Sequence, residues 1–124
     1  MNLVDSSGWL EYLSDGKNAD FFTEVIEDTE NLIVSTINIY EVFKKILLEK
    51  DENAALQVAA MMQQAEVKDV TSQLSLLAAR LSYEHKLPMA HSLILATART
   101  NNARLWTQDS DFKNFPDIKF VEKA

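Results

Sequence analysis

The side chains able to do chemistry are spread over almost the whole chain. Carboxylates stand at Asp5, Glu41 and Asp109, with Asp111 two residues further on. An imidazole stands at His91, in the first turn of the otherwise apolar run "LPMAHSLILATAR" (residues 87–99). Brought together, three or four carboxylates repel one another, and the arrangement is tolerable only when a divalent cation or protonation relieves it. Hard oxygen ligands favour Mg²⁺ or Mn²⁺. The chain has no cysteine, so no thiolate is present to favour zinc.

Taken singly, each residue has a plainer reading. Asp5 beside Ser6 serves equally well as a helix cap, and Asp109 and Asp111 in "TQDSDF" as turn residues. Glu41 stands at i, i+4 to Lys45, the spacing of a solvent-facing ion pair. A first-turn histidine is ordinarily capped or solvated. The metal reading therefore depends on the elements that position these residues.

"NLV" (residues 2–4) reads as a short strand stopping at Asp5, and Ser6 and Ser7 are good N-cap types for a helix carrying Trp9, Leu10 and Leu13, ended by Gly16. "NADFFTEVIED" has helical spacing, "NLIVST" is a β-branched strand ending at Ser35 or Thr36, and the next helix has Ile39, Val42, Phe43, Ile46 and Leu47 on its apolar side. Residues 51–66 form another helix and "VKDV" a short strand. Thr71 or Ser72 caps a helix to about His85, and Pro88 suits the first turn of the next. "ARLWTQD" is a strand breaking at Asp109, and "IKFVE" a last edge strand. Strands alternating with helices predict a three-layer α/β/α sandwich with a mainly parallel sheet, as one domain over residues 1–124. In such sheets ligands bind beyond the carboxyl ends of the strands, where Asp5 and Asp109 both fall.

Composition narrows the classes further. The chain has 124 residues, 47% of them hydrophobic and 25% charged, an ordinary globular balance. No apolar stretch approaches the roughly 18 residues of a membrane span, and no basic region precedes an apolar N-terminal segment, so a soluble, cytoplasmic protein is expected. A net charge of −7 argues against holding nucleic acid by a broad basic surface. The charge is uneven: residues 1–66 carry 13 acids and 4 bases, residues 67–124 carry 6 acids and 8 bases. With only Gly8 and Gly16, the chain lacks the glycine-rich phosphate cradle of dinucleotide and P-loop folds. Trp9, Phe21, Phe22, Met61 and Met62 read as core rather than a groove.

The four segments "LVDSSGWLEYL", "IVSTINIYEVFKK", "LPMAHSLILATAR" and "TQDSDFKNF" resemble, in order and spacing, those of PIN-domain proteins, especially the small VapC-type toxin ribonucleases. The resemblance implies a PIN-like fold and a metal-dependent ribonuclease, the toxin of a toxin–antitoxin pair. The acidic site would map to Asp5, Glu41 and Asp109, with Asp111 close by and Ser6 and Thr107 in support. It also implies an antitoxin partner and a homodimer. The chain departs from the pattern where an aspartate is usual in the Pro-x-x-Asp helix start: it has His91. An imidazole can still bind a transition ion but adds no negative charge, so Mn²⁺ should gain on Mg²⁺. Lys44, Lys45, Arg99 and Arg104 are candidates for RNA phosphates, or ordinary surface charges.

Two rivals stand beside this reading. One is a PIN-like domain with a degenerate site that binds RNA or protein without cutting. The other is a phospho-accepting receiver domain, which wants an acceptor aspartate ending a middle strand and a lysine after the last. Here "NLIVST" ends in hydroxyls and "IKFVE" ends in Glu122.

Overall fold

A computed structural model describes all residues from Met1 to Ala124. In chain order it contains β1 (Asn2–Val4), α1 (Ser6–Leu13), α2 (Ala19–Glu27), β2 (Leu32–Ser35), α3 (Thr36–Glu49), α4 (Glu52–Met62), β3 (Glu66–Lys68), α5 (Ser72–His85), α6 (Met89–Thr100), β4 (Arg104–Thr107) and β5 (Lys119–Phe120). The five strands form one sheet in the order β3-β2-β1-β4-β5, and every pairing is parallel. The expected α/β/α sandwich is therefore present. No helix is long and apolar enough to cross a membrane.

The pleat divides the core into two. Leu3, Ile33 and Leu105 face α5, α6 and Phe112 on one side of the sheet. Val4, Leu32 and Val34 face Trp9, Phe22, Val42, Ala55 and Met62 on the other. Both faces of the central strands are covered, so β2 reads as an unbroken apolar run. Trp9, Phe22 and Met62 are at most 1% exposed, and full burial of a side chain such as Phe22 or Met62 stabilises by about 1.5–3 kcal/mol. Phe21 and Met61 are only half-buried against the same core. Gly8 permits the tightest approach: a Cβ there would stand 2.6 Å from Val4 Cγ1 and 2.7 Å from Phe22 Cε1.

Several local expectations are corrected. Of the cap readings, Asp5 rather than Ser6 or Ser7 caps α1, its Oδ1 accepting from the Ser6 N–H at 2.8 Å. The left-handed residue after α1 is Asp15 (φ 52°) rather than Gly16. Leu47 is 43% exposed, because the α3 stripe facing the core is narrower than its apolar sequence. Pro88 occupies the N-cap position, one residue before α6. Three strands are shorter than their sequences suggest: β3 ends at Lys68, β4 at Thr107, and β5 spans only Lys119–Phe120. Thr71 caps α5 as expected, accepting from the Leu74 N–H.

Candidate metal centre

β1 and β4 are adjacent, and their carboxyl ends stop in register, Val4 opposite Trp106. The chain then leaves each strand through an aspartate. Asp5 opens α1, and Asp109 caps a one-turn 3-10 helix, Ser110–Phe112, its Oδ1 accepting from the Asp111 N–H at 3.0 Å. Thr107 joins the two: its hydroxyl donates to Asp5 Oδ2 at 2.8 Å and accepts from the Asp109 N–H at 2.9 Å. The cap and turn readings and the site reading thus describe the same residues, since each aspartate uses one oxygen for the backbone and has lone pairs left for a ligand.

Asp5 is 1% exposed. Besides the Ser6 N–H and Thr107 hydroxyl, it accepts from the Ser7 hydroxyl at 3.0 Å. Burial pushes its carboxyl above the ordinary carboxylate range; His91 and the Thr107 and Ser7 hydroxyls pull it back, while Asp109 adds to the rise. An ionised Asp5 is therefore under-compensated by its protein surroundings.

The first turn of α6 carries His91 to this pair. Its Nε2 lies 3.1 Å from Asp109 Oδ2 and its Nδ1 2.9 Å from Asp111 Oδ2. The Phe112 ring, itself fully buried, packs against the imidazole with centroids 5.0 Å apart. Asp5, His91 and Asp109 each offer one ligand atom within 4.8 Å of the other two. Two carboxylate oxygens, one of them from a buried side chain, and an imidazole nitrogen form a donor set that fits a divalent cation.

Glu41 is not one of those three. Its Oε1 accepts from the Ser6 hydroxyl at 2.7 Å, and Ser6 is the residue after Asp5. The predicted Glu41–Lys45 ion pair is absent; Lys45 pairs with Glu49 at 3.0 Å instead. The Asp111 carboxylate likewise stands outside the trio and contacts it through His91. Of the basic candidates, exposed Lys44 and Lys45 lie one turn along α3 from Glu41. Arg99 stands over the Phe115 ring in the last turn of α6, at the opposite end of that helix from His91. Arg104 begins β4, at the end of the sheet remote from the aspartates.

Asn38 went unnoticed in the sequence. It is fully buried; its Oδ1 accepts from the Ser35 N–H at 3.1 Å, and its Nδ2 donates to Ser6 Oγ at 3.0 Å, fixing the hydroxyl that holds Glu41. "STIN" is a capping-box spacing with Asn in the Glu/Gln position, a signal that could have marked it. Gln108 was also missed. It accepts from Asn18 Nδ2 at 3.0 Å and stiffens the segment between Thr107 and Asp109; nothing local in the sequence announces it.

Comparison with known proteins agrees with this architecture. The chain superposes on Mycobacterium tuberculosis VapC20, described as a Sarcin-Ricin loop cleaving toxin, with a TM-score of 0.79, 16% identity and coverage of 96% of this chain and 98% of that one. A toxin–antitoxin complex from Klebsiella pneumoniae contains a chain matching with a TM-score of 0.77, 20% identity and coverage of 98% and 96%. VapBC2 from Rickettsia felis, bound to a DNA fragment from its promoter, gives a TM-score of 0.73 at 15% identity, covering 98% and 97%. Curated protein sequences give no significant match. The family model for the PIN domain matches residues 3–118, from the strand before Asp5 to beyond the turn after Asp109, and this chain belongs to the PIN-domain family.

Proposed function

We propose that this protein is a metal-dependent endoribonuclease that hydrolyses RNA phosphodiester bonds, and the toxin of a toxin–antitoxin pair. The observation carrying this reading is the convergence of Asp5, Asp109 and His91 at the carboxyl ends of β1 and β4. Those three would hold a divalent cation, Mg²⁺ or Mn²⁺. Such an ion, when bound, supplies an activated water and offsets charge on the phosphate. Asp5, buried and hydrogen-bonded three times, fixes the floor of the site. Glu41, oriented by Ser6 and Asn38, places a further carboxylate at the rim where it can hold and deprotonate water. Exposed Lys44 and Lys45, one turn along α3 from Glu41, provide positive charges for RNA phosphates.

The family membership and the toxin–antitoxin assemblies among the structural neighbours support an antitoxin as partner. Exposed Tyr40, Leu47 and Leu48 on α3 supply apolar surface suited to a protein partner or a second copy.

One observation favours a second reading, in which the domain binds without cutting. Both His91 nitrogens face carboxylates, and a doubly protonated ring would satisfy both while offsetting the acids. Cleavage of a structured RNA with Mn²⁺ separates the two. The nuclease reading expects cleavage by the parent, its loss in Asp5→Ala and an increase in His91→Asp. An inactive parent whose His91→Asp variant cuts would establish the second.

A further inference from the structure

The segment "DSDF", residues 109–112, makes three different contacts to one imidazole. Asp109 Oδ2 lies 3.1 Å from Nε2, Asp111 Oδ2 lies 2.9 Å from Nδ1, and the buried Phe112 ring packs beside it with centroids 5.0 Å apart and planes tilted by 58°. The turn is itself fixed, because Asp109 Oδ1 accepts from the Asp111 N–H and Phe112 is fully buried. Asp111 is partly exposed and does not share the ligand cluster of Asp5, His91 and Asp109. With its proton on Nδ1, His91 donates to Asp111 and keeps Nε2, the nitrogen beside Asp109, as the lone-pair atom. A carboxylate behind a histidine in this way selects the tautomer, orients the ring and raises its basicity toward a cation.

We infer that Asp111 is a positioning residue acting through His91, and that this pair makes the centre a nitrogen-donating site selective for transition ions over Mg²⁺. The inference rests on the reading of the centre as a metal site. Imidazole suits the later first-row ions, whereas Mg²⁺ demands oxygen donors and is held largely by charge, which a neutral ring does not add. His91 therefore strengthens Co²⁺ and Zn²⁺ binding with little gain for Mg²⁺, and Asp111 contributes only while His91 is present.

The test is a binding cycle on the whole chain, with dissociation constants for Co²⁺ and Mg²⁺ measured by calorimetry for the parent, H91A, D111N and H91A/D111N. D111N should weaken Co²⁺ about 10- to 100-fold. In the H91A background the same change should cost less than about 5-fold, the scale of one partly exposed charge. Mg²⁺ affinity should change by less than about 5-fold in every variant. An independent readout avoids variants altogether: the chain has two histidines, so the ring nitrogens of His91 can be resolved from those of His85 by nitrogen NMR. On adding Zn²⁺ to the parent, His91 Nε2 should take the shift of a metal-bound nitrogen and Nδ1 that of a protonated one.

A D111N penalty that persists undiminished in H91A, or a Mg²⁺ loss matching the Co²⁺ loss, would overturn the inference. Binding of both ions with the His91 nitrogens unshifted would overturn it and leave the metal-centre reading standing. Binding of neither ion by the parent would remove both.

Discussion

Thr107→Val isolates the link between the two aspartates. The side chain is fully buried, and valine fills nearly the same volume, so no cavity opens. Two interactions are lost. Asp5 Oδ2 forfeits a charge-assisted hydrogen bond of about 1.5–3 kcal/mol, and the Asp109 N–H forfeits an acceptor at about 1 kcal/mol. The combined loss is roughly 2–4 kcal/mol, which for a chain of 124 residues corresponds to a Tm lower by roughly 8–15 °C. Thr107→Ser is the control, keeping the hydroxyl and removing one methyl group, a loss of about 1 kcal/mol. Urea unfolding followed by far-UV circular dichroism gives both values, with equal m-values confirming that only stability changed. A valine variant as stable as the serine variant would show that the bridge between Asp5 and Asp109 carries no energy, and the explanation of how β1 and β4 hold the site together would fail.

Further outcomes follow from the same contacts. Because burial raises the Asp5 carboxyl above the ordinary carboxylate range, the stability this group contributes is fully present below the unfolded-state value and is lost as pH rises through the folded-state value. With a chelator present, the stability of Asp5→Asn relative to the parent should therefore increase as pH rises above about 4, and a flat or falling difference in urea midpoints would contradict the burial penalty. Gly8→Ala places a methyl group 2.6 Å from Val4 Cγ1 and should destabilise by about 1–3 kcal/mol; a thermal melt unchanged from the parent would mean that α1 lies less tightly on the sheet. Asn38→Ala unfastens both Ser35 and Ser6, leaving a buried N–H without a partner. It should cost about 1–3 kcal/mol in stability and reduce RNA cleavage through a displaced Glu41; unaltered cleavage would remove Glu41 from the proposed chemistry.

The alternation of β-branched strands with amphipathic helices was enough to read the layers and the parallel sheet, because both periodicities are local. The same locality placed Asp5 and Asp109 at strand ends, where a parallel sheet must bring them together once β1 and β4 are neighbours. Strand order itself depends on pairing between distant segments, so the meeting of Asp5 with His91 could be stated only as a condition. Glu41 shows the limit most clearly: its spacing to Lys45 suggested a surface pair, but a serine 35 positions earlier takes its oxygen instead. Leu47 and Gly16 failed for a related reason. An apolar residue is buried only if a partner covers it, and a helix ends where its own hydrogen bonds run out, with Asp15 taking the left-handed turn.

The measurement bearing most directly on the central claim is anomalous scattering from crystals of the parent protein soaked in manganese. A cation held by this trio gives an Mn²⁺ peak within coordination distance of Asp5, Asp109 and the Nε2 of His91. Fully ordered side chains with no such peak, or an ion bound only elsewhere on the acidic surface, would contradict it.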